Sequence, residues 1–151
     1  MPELTKRSVL PLFDRLASEL PDQDSGMLET MEPLKDSIAR DLFRLFNTRS
    51  PLGLSDYENG GGTVLEYGVP DFSHVSGQSN SDLDALQAVL CLAIRRYETR
   101  LLNVAVKVIP SNDRKENVRV QVTASARLGT EIRRFDFEML HEALGSTRNT
   151  K

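Results

Sequence analysis

The chain has no tryptophan, one cysteine, two histidines and no apolar run approaching the ~20 residues that a membrane-spanning helix needs. Each shortage removes a class of function. With aromatic residues at only 6% there is little from which to build a stacking platform for bases or sugars. A lone Cys91 excludes an internal disulfide framework and suits a reducing cytoplasm. His74 and His141 belong to no His-x-x-x-His or Glu-x-x-His pattern, so no metal ligand set is expected. The net charge of −3 lacks the basic excess of a nucleic-acid binder. No Gly-x-Ser-x-Gly elbow occurs, and the "NGGG" stretch precedes no Gly-Lys-Ser/Thr, so nucleophilic and phosphate-cradling motifs are both missing. The start, "MPELTKRSVLPLF", carries no signal-peptide pattern, which makes a cytoplasmic location the expectation.

What remains is a soluble composition, 39% hydrophobic and 27% charged, in 151 residues, enough for one domain with a real core. Residues 1–31 read as an arm. "SVLPLFDRLASEL" places Val9, Leu12, Phe13 and Leu16 at helical spacing, with Ser8 able to cap, and "PDQDSG" breaks it. That helix either docks on the core or lays its apolar face in a partner's groove.

Residues 32–140 form the main domain, and 141–151 a polar tail. "EPLKDSIARDLFRLFNTR" predicts a helix over 33–47, with Leu34, Ile38, Leu42 and Leu45 on one stripe. Arg49 falls where that helix ends. It either caps the last carbonyls or turns inward toward an acidic partner. Residues 50–80 read as a long irregular loop, in which "TVLEYG" can make one helical turn ending at Gly68 and Pro70 fixes a turn. Ser81 caps the next helix, with Asp84 three residues on. This helix is apolar around much of its circumference, from Leu83 to Tyr97, with Cys91 as a small core residue.

Strand patterns follow. Leu102, Val104, Val106 and Val108 alternate in the first, which Pro110 ends. Val118, Val120, Val122, Ala124 and Ala126 alternate in the second. Phe135, Phe137 and Met139 mark a third. One dry and one wet face imply an antiparallel sheet. The expected fold is therefore α+β: two main helices on a small three-stranded antiparallel sheet, with an N-terminal helical arm and a long central loop.

The seam between the last helix and the first strand, "YETRLLNV", holds Glu98 in a last helical turn, where the dipole disfavours an anion by a few tenths to ~1 kcal/mol. An arginine should offset it, either Arg100 on the same side of an extended chain or Arg49 from the other helix. The pair is either a solvated surface contact or a rigid charged knuckle that another protein reads. As a glycosidase acid Glu98 is poorly placed. Its neighbours in sequence are Arg95, Arg96 and Arg100, which favour the charged form over the protonated acid that cleavage needs.

Four segments in order, "SVLPLFDRL", "SIARDLFRLFNTR", "VLEYGVPDFS" and "RRYETRLLNVAVKV", resemble the baseplate wedge family of contractile injection machines. That family includes a phage protein once labelled lysozyme-like and the TssE component of type VI secretion systems. Tyr97, Glu98, Thr99 and Arg100 resemble its Phe-Glu-Pro-Arg signature, with Thr99 where the proline would stand. The "NTR" and "YG-x-PD" pieces are similar to the secretion branch. The resemblance implies a scaffold without catalytic residue, cofactor or metal. Its expected partners are wedge subunits like TssF, TssG and TssK, sheath subunits like TssB and TssC, and spike or tube proteins, in a cytoplasmic, membrane-docked baseplate. It implies wedge contacts at Glu98 and Arg100, supported by Arg49, Tyr67, Gly68, Pro70 and Asp71. It also implies a sheet edge for sheath strands along Asn103, Val104, Val106 and Val108. A peptidoglycan-cleaving glycosidase is the alternative, and a generic adaptor the third reading.

Overall fold

The computed structural model describes residues 8–9, 27–28, 31–72, 79–110 and 117–142. Two short strands, β1 (Ser8–Val9) and β2 (Met27–Leu28), pair antiparallel. Ser8 and Val9 are thus extended rather than the start of a helix, because their main chain is matched to Leu28 and Met27. The rest of the expected arm helix, His74, the side chain of His141 and residues 143–151 of the expected tail lie outside the described residues, while 141 and 142 belong to a strand.

Helix α1 (Met31–Phe46) buries Met31, Leu34, Ile38, Leu42 and Leu45, the three- and four-residue spacing that puts one stripe against a core. Pro33 sits in its first turn, where no intrahelical N–H is needed. The helix stops where the Asn47 and Thr48 side chains donate to the last-turn carbonyls of Phe43 and Arg44, at 2.7 and 2.8 Å.

The loop beyond is more ordered than its composition suggests. It contains helix α2 (Leu54–Asn59) and a 3₁₀ turn (Val64–Glu66). The turn was legible in the sequence; α2 was not. Helix α3 (Asn80–Tyr97) is capped by Ser79, whose hydroxyl accepts from the Asp82 amide at 3.4 Å. The cap lies two residues before the expected Ser81, in a second Ser-x-x-Asp pattern with the same spacing. Leu83, Leu86, Val89, Leu90, Ala93 and Ile94 are buried, and Cys91 lies at the margin of the core.

Strands β3 (Leu101–Pro110), β4 (Asn117–Leu128) and β5 (Glu131–Glu142) form one antiparallel sheet in that order. The even-numbered β4 residues from Val118 to Leu128 are buried, with Phe135 and Phe137 from β5 and Val104, Val106 and Val108 from β3. They form one core with the stripes of α1 and α3. The α+β expectation holds. The β3–β4 register breaks between Leu102 and Ala105, where Asn103 adopts a left-handed φ of 52°. A bulge of this kind twists a strand and interrupts its outer margin.

Candidate functional site

Helix α3 ends at Glu98. Its amide still donates to the Ile94 carbonyl at 2.8 Å, but its own backbone is no longer helical. Two residues on, Arg100 doubles back over the same side of the chain. Its Nε donates to Glu98 Oε1 at 2.7 Å, and Nη2 donates to Oε2, giving the bidentate fork that suits guanidinium and carboxylate. Nη2 also donates to Asp41 Oδ2 at 2.6 Å and Nη1 to Ser37 Oγ at 2.9 Å. Glu98 is only 5% exposed. The Arg100 amide completes its shell at 3.2 Å. Burial works against the Arg100 charge, but the hydrogen bond and charge of Glu98, joined by Asp41, outweigh it and hold the guanidinium above the ordinary arginine range.

The pair is therefore neither a solvated contact nor an outward knuckle. It is an internal rivet, fixing the helix–strand seam to α1. Sequence reading missed Ser37 and Asp41. Their only signal is a polar pair four residues apart on the flank of the α1 stripe, visible once the facing element is known.

Above the rivet opens a groove of about 390 Å³, lined by Asp41, Arg44, Leu45, Thr48, Tyr67, Tyr97 and Glu98. Tyr67 and Tyr97 meet edge to face, centroids 5.1 Å apart. Burial raises the Tyr67 pKa, with Asp41 adding to the rise and Arg44 opposing it. Arg44 Nη1 also bridges to Asp41 Oδ1 at 2.9 Å.

The neighbouring turn is locked from several sides. Val69 N–H donates to Thr48 O and Ser50 N–H to Val69 O, at 2.8 and 3.0 Å. Gly68 has φ +119°, and a Cβ there would lie 2.5 Å from Thr48 O, so only glycine fits. Tyr57, fully buried, donates its hydroxyl to Gly68 O at 2.8 Å. Burial, reinforced by Tyr97, pushes that phenol up to about 12. Pro70 is buried behind the turn. Arg49 meets Asp71 at 2.9 Å at the exposed rim, not Glu98, which makes it a surface pair.

The expected β3 residues sit elsewhere. The side chains of Val104, Val106 and Val108 face the core. The outer margin of β3 is occupied by α3: Gln87 Oε1 accepts from Val108 N–H at 3.4 Å, and Arg95 Nη2 and Cys91 Sγ donate to Val104 O at 3.4 and 3.6 Å. Because Val108 N–H points away from β4, alternation makes Lys107–Gln121 a hydrogen-bonded pair and turns Val120, Val122 and Ala124 toward Met139, Phe137 and Phe135. The main chain of Ile132, Arg134, Asp136 and Glu138 is then directed off the far side of β5. Among the described residues nothing hydrogen-bonds there.

Among the described residues no group of histidine, cysteine, aspartate and glutamate side chains is disposed to hold a metal, and no helix is long and apolar enough to cross a membrane. A family model described as baseplate wedge protein gp25 matches residues 32–131. No curated protein matches the chain. A solved chain from "The baseplate complex from the type VI secretion system" is similar in fold, with a TM-score of 0.52 and 20% identity over 73% of this chain and 95% of that one.

Proposed function

We propose, for a chain that belongs to the baseplate wedge protein gp25 family, a structural role in a type VI secretion baseplate: it joins the wedge and offers a sheet margin on which the first sheath strands add. The unequal margins of the sheet carry this reading. The β3 side is taken by Gln87, Cys91 and Arg95, while β5 offers the outward N–H and C=O groups of four alternate residues as a template. On this reading the accepting margin is β5, where the sequence suggested residues of β3. The wedge contact falls on the tyrosine-walled groove, with Arg49 and the Tyr67–Asp71 turn at its rim. Glu98 and Arg100 act by holding that groove in shape. The partners are other wedge subunits and sheath subunits, in the cytoplasm.

The arrangement supports a scaffold over a glycosidase. Both oxygens of Glu98 already accept from Arg100, and the nearest second carboxylate, Asp41, shares the same guanidinium. Both line the groove, but one cation holds the two together, which disfavours the protonated acid that cleavage needs.

Arg134→Pro is the sharpest test. It deletes an N–H that faces off the sheet and spares the β4 ladder. The variant should keep its circular dichroism, enter wedge complexes and fail to start sheaths. Normal sheath assembly by this variant defeats the template. Loss of fold is read separately from the dichroism, and Arg134→Ala controls for the side chain.

A further inference from the structure

Val64 and Leu65 are 89% and 86% exposed, adjacent to one another at the tip of the 3₁₀ turn. Slack does not explain their exposure, because the tip is braced on every side. Thr63 and Glu66 close a capping box, with Thr63 N–H donating to Glu66 Oε2 at 3.0 Å. The Tyr97 hydroxyl donates to Thr63 O at 3.2 Å. Arg96 donates to the carbonyls of Tyr57, Glu58 and Gly60, the last two at 3.1 and 2.8 Å, and its stem packs under Gly62. Two aliphatic side chains held out this firmly form a preorganised anchor, the kind of feature that binds without an ordering cost.

Charge says what it fits. Residues 50–70 contain three acids (Asp56, Glu58, Glu66) and not one lysine or arginine. In the segment leading to the tip, Asp56 and Glu58 are exposed, while Arg96, which braces it, is spent on carbonyls. We infer that Val64 and Leu65 form a second docking point, seated in an apolar pocket rimmed by lysine or arginine on another protein subunit. The inference rests on the baseplate reading for where that subunit is found. It uses neither the β5 margin nor the groove floor. An acidic rim disfavours anionic lipid, and it repels the same face of a second copy.

The full chain is titrated onto wedge complexes made by co-expressing the remaining baseplate subunits, and affinity is read by interferometry. Val64→Ser/Leu65→Ser should melt like wild type, since the two side chains cover nothing, yet bind about 10- to 100-fold more weakly. Asp56→Asn/Glu58→Gln should slow association and flatten its salt dependence between about 50 and 300 mM. Undiminished binding by the serine variant overturns the anchor and leaves the baseplate reading standing. Failure of the wild type to bind any wedge complex sinks the baseplate reading itself. Two other results also overturn the basic-pocket partner, if the serine variant abolishes them: co-sedimentation with phosphatidylcholine vesicles, which makes the tip a lipid contact, and dimerisation in sedimentation velocity, which makes its occupant a second copy.

Discussion

Removing Arg100 should unfold this protein more readily than it unbinds it. Arg100→Met keeps an apolar stem but deletes the fork, the link to Asp41 and the link to Ser37. Glu98 is then left with the amide of residue 100 as its one remaining donor from the rivet, at 3.2 Å, while only 5% exposed. Breaking a buried pair from one side costs about 3–5 kcal/mol, because an uncompensated charge stays behind. Arg100 keeps 19% of its side chain in water and the groove lies alongside, so the lower end, about 3 kcal/mol, applies. For a chain of this length that lowers Tm by roughly 6–12 °C.

Glu98→Gln should be milder, about 1 kcal/mol, since shape and some hydrogen bonding persist and Arg100 still has Asp41. Removing both charges, as Glu98→Leu/Arg100→Met, should recover much of the loss, for two apolar groups of fitting shape avoid the stranded charge. Urea denaturation followed by circular dichroism gives the complete cycle. A coupling of at least ~1.5 kcal/mol, little changed by salt, is the expected result. If Arg100→Met costs less than ~0.5 kcal/mol and added salt erases even that, the corner is an ordinary surface pair and the rivet is wrong.

Three further outcomes follow from the turn beside the groove. Gly68→Ala should cost about 3 kcal/mol or more in urea melts, since a left-handed backbone conformation and a Cβ 2.5 Å from Thr48 O act together. The buried Tyr57 phenol, with its pKa raised to about 12, contributes stability that is complete below pH ~10 and lost as pH rises from there toward 12. The loss amounts to about 3 kcal/mol, so alkaline melts should fall more steeply for wild type than for Tyr57→Phe. Arg96→Met strips three carbonyls and the face of the Tyr57 ring, 5.2 Å away, of their cation. It should cost about 2 kcal/mol and speed hydrogen exchange in residues 60–66.

The long elements were legible because their patterns are long. The α1 stripe and the strict alternation along β4 each repeat often enough to fix period and face. Helix α2 was not, since Leu54 and Tyr57 are too few apolar positions to establish a period. The α3 cap was ambiguous because Ser79 and Ser81 both precede an aspartate at the right spacing. At the site, Glu98 declared its need for an arginine, but not whether Arg100 or Arg49 would meet it, nor which way the pair turns. That depends on Ser37 and Asp41 lying opposite, a fact of helix crossing. The same limit applies to the sheet margin. An alternating strand does not reveal whether a helix will lay Gln87 and Arg95 along it.

A ribbon with one side sealed has a valence of one. A guest strand received along Glu131–Glu142 cannot be relayed across to a further molecule, because the opposite flank is already engaged by α3. On the template proposal, such a molecule would start a series rather than sit in the middle of one. It is also spared the runaway stacking that open two-sided ribbons invite.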